Sequence, residues 1–129
     1  MCGIVENSQR KFVIVVGGNV PEEVFDNCEY LEILQDNSLT NWKKCESTIP
    51  DIGSITEGTA VTDPESGDLL FIGGLNQETN KRQDSIIRLS ISESGDWNWS
   101  ISDSKLQAKR SLHTALFVPD EKLPCNNKI

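Results

Sequence analysis

Two apolar runs in this 129-residue chain end in a double glycine, FVIVVGG at 12–18 and LLFIGG at 69–74, so that Gly17–Gly18 and Gly73–Gly74 lie 56 residues apart. The residues beyond each pair repeat in outline. EYLEIL (29–34) and Trp42 come after the first, SIIRLSI (85–91) and Trp97 after the second. Thr59 and Ala60 stand as far beyond Trp42 as Thr114 and Ala115 stand beyond Trp97. Three landmarks keep one register once a single inserted residue is allowed. An internal repeat of this length constrains architecture before any single residue can be interpreted.

Each unit reads as short strands. The runs before the glycines are rich in Val, Ile, Leu and Phe and too short for an independent helix. Their near-continuous hydrophobicity predicts strands covered on both faces. DNSLTN (36–41), DPESGD (63–68) and ESGD (93–96) supply turn chemistry between them. A glycine pair at a strand end permits unusual backbone angles and close approach by another segment. A phosphate loop would need further spaced glycines and a following helix, which neither pair has.

The double glycine, a second strand a dozen residues on, a turn and then Trp together resemble the Kelch repeat. Tyr30, Ile33 and Trp42 carry the resemblance in one unit, and Ile87, Ile91 and Trp97 in the next. Trp99 leaves that last alignment open by two residues. The resemblance covers residues 12–118 and implies an all-β chain, a Kelch-type β-propeller fragment of about two four-stranded antiparallel blades. It places strands near 12–16, 29–35, 42–46, 57–62, 69–72, 85–91, 97–101 and 112–118. Residues 1–11 then form an N-terminal lead-in, 12–54 a partial blade, 55–104 a complete blade, 105–118 the first strand of the next, and 119–129 a tail. Because repeat units need neighbours to cover their faces, further blades in cis are expected.

Composition limits the partners. Twenty acidic against twelve basic residues give a formal net charge of −8, which disfavours nucleic acid. KRQD (81–84) and Lys109–Arg110 are each too small to form a basic stripe. No apolar run approaches the roughly 20 residues of a membrane span, and residues 1–11 lack the pattern of a signal peptide. The four cysteines, Cys2, Cys28, Cys45 and Cys125, contain no CxxC pair, so zinc and thioredoxin-like readings fail. A hairpin turning at Asp36–Asn37 would set Cys28 opposite Cys45 at disulfide distance, whereas a longer turn would break that register. The alternative is four reduced thiols. A disulfide would favour an extracellular over a cytoplasmic location.

Chemistry is sparse. His113 is the single histidine and Tyr30 the single tyrosine. His113, at the start of a strand, is expected to be structural, and Ser85 and Ser111 have no nucleophile-elbow setting. Asp63, Glu65 and Asp68 crowd one turn without the calcium-loop spacing, and a solvated turn is expected. No catalytic, cofactor-binding or metal-ligating residue is assigned, and no cofactor is expected. The resulting expectation is a non-enzymatic interaction module whose loops at 19–27, 76–84 and 105–110 meet a protein or glycan. The alternative is a fragment of a Kelch-like enzyme resembling galactose oxidases, with its active site in blades this segment does not contain.

Overall fold

All regular structure in the computed structural model, which describes residues 1–17, 19–20, 23–24, 28–45 and 55–118, is β-strand. The first sheet is a four-stranded antiparallel meander: β1 (Cys2–Glu6), β2 (Lys11–Val16), β5 (Cys28–Ile33) and β6 (Lys43–Lys44) in spatial order. A two-strand hairpin, β3 (Asn19–Val20) and β4 (Glu23–Val24), lies in the β2–β5 connection. The second meander orders β8 (Thr59–Thr62), β9 (Leu69–Ile72), β12 (Ile86–Ile91) and β13 (Trp97–Ile101). A small sheet orders β7 (Ile55–Thr56), β10 (Leu75–Asn76) and β11 (Lys81–Arg82), with β10 central. Among the described residues these sheets close into neither a barrel nor a ring.

Four expectations need correction. The presumed lead-in contains β1, which pairs along its whole length with β2. Asn7 makes that hairpin: its side-chain oxygen accepts from the amides of Gln9 at 2.9 Å and Arg10 at 2.7 Å. Among the described residues the first sheet therefore has four strands, and both meanders start in the same phase. The strand expected at 57–62 is shorter than that. It starts only at Thr59, as β8, because Glu57, at φ 58°, separates the second meander from β7 of the small sheet. Residues 112–118 alternate in exposure as a strand would but join no ladder; only Arg110 makes an isolated bridge, to Gln83. Of the strand expected at 42–46, β6 covers Lys43–Lys44, and residue 46 lies outside the described residues.

The core lies between the two meanders. Phe12, Ile14 and Val16 project from one face of β2, and Leu69 and Phe71 from the facing side of β9. Leu89 and Ile91 on β12 and Val5 on β1 complete the layer. Tyr30 and Trp97, repeat landmarks from different sheets, meet at 4.7 Å between ring centroids, and both are edge-on to Phe12. A Cβ on Gly3 would strike Leu69, so the glycine lets β1 lie close against the second sheet. Arg10 covers one end of this core, stacking 4.9 Å over Phe12 and donating through Nε to Glu32 at 2.7 Å. That hydrogen bond holds the Glu32 carboxyl below the usual carboxylate range.

Cys28 and Cys45 form a disulfide across β5 and β6. Its register follows from Glu29 opposite Lys44 and Tyr30 opposite Lys43. The hairpin turns at Asp36–Asn37, where the Asn37 amide donates to the Leu34 carbonyl at 2.8 Å and Asn37 takes a left-handed φ of 67°. The tight turn sets Ile33 opposite Leu39, and a one-residue shift before Lys43 brings Cys45 opposite Cys28. Cys2 is a free, exposed thiol. Cys125 lies outside the described residues.

Candidate functional site

The double glycines mark one end of each meander, and that end carries the connections that converge. Gly17 has φ 68°; Gly18 lies outside the described residues. At the second pair the reason for glycine is visible. Gly73 and Gly74 have φ of 62° and 108°, angles that side-chain-bearing residues rarely adopt. A Cβ on Gly73 would sit 2.8 Å from the His113 ring and 2.9 Å from the Arg110 carbonyl oxygen. One on Gly74 would sit 2.6 Å from Ile55 Cγ2 and 2.8 Å from the Thr56 carbonyl oxygen. Two other segments, 55–58 and 110–113, thus cross directly over the pair.

Backbone hydrogen bonds fix that crossing. The Gly74 amide donates to the Arg110 carbonyl at 2.9 Å, Arg110 to Gln83 at 3.1 Å, and Leu112 to Glu57 at 2.8 Å. Leu106 donates to Asp84 at 2.8 Å. Asn76, buried, shapes the β10–β11 turn by accepting from the amides of Glu78 and Thr79. The loops expected at 76–84 and 105–110 are therefore tied together on one end of the second sheet. The first of them also carries the β10–β11 hairpin. The third expected loop, 19–27, contains β3 and β4, and its remaining residues lie outside the described ones.

Between these segments opens a groove of about 700 Å³ lined by Glu57, Leu75, Asn80, Lys81, Arg82, Lys109, Ser111 and Leu112. The Arg82 Nε donates to Ser111 Oγ at 3.2 Å, linking the groove's two walls. Sequence reasoning set aside Lys81–Arg82 and Lys109–Arg110 as separate doublets. The Gln83–Arg110 bridge brings them together. No pattern along the chain predicts that bridge.

Other candidates resolve as structural. His113 packs on Gly73, and neither ring nitrogen has a hydrogen-bond partner among the described residues. No Ser–His contact of the catalytic kind exists there. Asp63 accepts from the Glu65 amide at 2.9 Å, which holds its carboxyl below the usual range, as expected of a turn-forming carboxylate. Among the described residues no three acidic, His or Cys groups gather as a metal site would require, and no helix is long and apolar enough to span a membrane.

The strand register refines the repeat. Val13 lies opposite Leu31, and Leu69 opposite Leu89, so aligning the glycine pairs also aligns Leu31 with Leu89 and Tyr30 with Arg88 rather than with Ile87. Trp42 precedes Lys43, the partner of Tyr30, and so comes beside Leu31; Trp99 is the direct partner of Leu89. The counterpart of Trp42 is thus Trp99. Trp99 stacks on Phe71 with centroids 5.9 Å apart, while Trp42 is 50% exposed.

No family model, no curated protein and no solved structure matches this chain.

Proposed function

We propose that this chain is a Kelch-type repeat module that works by binding, as part of a larger ring of sheets, and presents its double-glycine end to a protein or glycan partner. What supports the blade reading is the order within each meander. Both run as four antiparallel strands, with the glycine pair after the second and tryptophan at the fourth. What supports further blades is the inequality of repeat-equivalent faces. The outer face of the first sheet, with Val13, Val15, Leu31 and Trp42, corresponds to the covered face of the second. The outer face of the second, with Leu70 and Ile72, corresponds to the covered face of the first. Each outer face, partly covered here and with Leu31 buried on the first, therefore matches the sheet surface that the other repeat buries against its neighbour.

The observation that carries the binding role is the joining of 76–84 and 105–112 around an exposed groove, held by backbone bonds rather than by a mobile loop's own contacts. Binding surfaces of this kind sit on loops positioned by a rigid scaffold. Photo-cross-linking tests it. A cross-linking residue at Thr79 or Gln107, both exposed at this end, is expected to give a distinct partner adduct. The same residue at Ser66, exposed in the turn between β8 and β9 at the opposite end, is expected to give none. Equal capture from both ends would contradict the assignment.

A further inference from the structure

The groove beside Gly74 inverts the charge of the molecule around it. The chain carries a formal net charge of −8, yet the lining brings together Lys81, Arg82 and Lys109 against the single acid Glu57. Lys81 and Arg82 come from β11, and Lys109 from the crossing segment, so basic residues stand on both walls of the groove. All three side chains are exposed, so their charges remain available to a ligand. Ser111 bonds the Arg82 Nε and leaves the outer guanidinium nitrogens as donors.

Among the described residues four non-glycine residues have positive φ, and three of them, Glu57, Asn80 and Leu112, line this groove. Such conformations cost energy and gather at sites where geometry serves binding. Leu112 is 81% exposed yet held by its amide bond to the Glu57 carbonyl, and with Leu75 it supplies an apolar wall. A groove of about 700 Å³ suits a ligand far larger than a bare ion.

We propose that this groove binds a sugar-sized ligand through a sulfate or phosphate monoester, with Lys81, Arg82 and Lys109 around the ester oxygens and Leu75 and Leu112 against the carbon ring; this deepens, and rests on, the reading of this end as the binding surface. Three cations from two walls match a tetrahedral group with several terminal oxygens better than a planar carboxylate with two. The acidic remainder of the chain opposes long polyanions and leaves a discrete anionic group as the fitting ligand.

Titration of the full chain followed by amide chemical shifts tests this, with glucose sulfate, glucose phosphate, neutral glucose and a tetraglutamate peptide as probes. Saturable shifts centred on Lys81, Arg82, Ser111 and Leu112 are expected with at least one ester, and the two ester arms identify which oxyanion is preferred. Affinity should weaken as salt rises. Lys109→Glu, an exposed change that the fold should tolerate, is expected to weaken binding about tenfold or more, as loss of a charge-assisted contact does. A double Lys81→Glu/Lys109→Glu chain with an unchanged spectrum elsewhere should abolish it. Equal binding of neutral glucose would overturn the oxyanion role, and tighter binding of tetraglutamate would overturn the ester in favour of a carboxylate; either would leave the loop end a binding surface. Absence of saturation with both esters would overturn the proposal outright, while the binding role itself stands or falls on the cross-linking comparison.

Discussion

Phe12→Ala is expected to lower folding stability by about 3–5 kcal/mol, the usual range for removing a buried phenyl ring from a core. Phe12 is 2% exposed and edge-on to both Tyr30 at 5.9 Å and Trp97 at 5.2 Å. It thus joins a strand of the first sheet to the edge of the second, and Arg10 stacks over its ring. Alanine would leave Tyr30 and Trp97 lining a void, because neither β-sheet can move in without disturbing Ile14 and Leu89 behind it. Val13→Ala, on the opposite face of the same strand, should cost about 1 kcal/mol or less, since that face is only partly covered. Denaturant midpoints of the two variants measure the difference. Similar small losses for both would mean that the sheets do not pack through Phe12.

Gly74→Val carries the second large effect, about 3 kcal/mol or more. Two costs combine. A β-branched residue at φ 108° bears backbone strain of about 1–3 kcal/mol. Its Cβ would also meet Ile55 Cγ2 at 2.6 Å and the Thr56 carbonyl oxygen at 2.8 Å, and a carbonyl held in the β7–β10 ladder cannot swing aside. The expected result is loss of the small sheet together with the crossing segment. Exchange of the Arg110 and Leu112 amides should then rise well above that of the β9 and β12 amides. A variant with unchanged protection at Leu112 would show that the crossing does not depend on the glycine.

How much of this was legible in the sequence depended on whether its signal was local. Leu69–Ile72 was readable to the residue because it is an apolar run between a turn and a glycine pair, whereas Trp97–Ile101 was placed by the resemblance to a blade pattern. The Cys28–Cys45 pairing was legible as one outcome of a turn at Asp36–Asn37, but the register also shifts by one residue between the Ile33–Leu39 bridge and the Tyr30–Lys43 pair, which no local signal announces. β1 was missed because its apolar content, Ile4 and Val5, is two residues long and is preceded by a glycine that breaks the pattern. What made it a strand was β2 alongside. Residues 112–118 show the converse: a strand-like pattern from Leu112 to Val118 forms no ladder, because pattern alone cannot supply a partner. Leu116 stays 83% exposed as a result. Trp42 and Trp97 looked equivalent by spacing, but pairing with Leu31 and Leu89 makes Trp99 the counterpart. The cationic groove was invisible for the same reason as β1. Arg82 and Lys109 stand far apart in the chain, and a bridge at Gln83 joins their walls.

Two sheets of the same strand order fill each other's inner faces, and the proposed larger ring requires a further neighbour on each outer face. Sedimentation of the isolated chain over a range of concentrations tests it most directly. The expected result is concentration-dependent self-association, reduced by Trp42→Glu on the open face of the first sheet and little changed by Glu65→Lys in the exposed turn. A monomer at every concentration, melting in one sharp two-state transition, would contradict it.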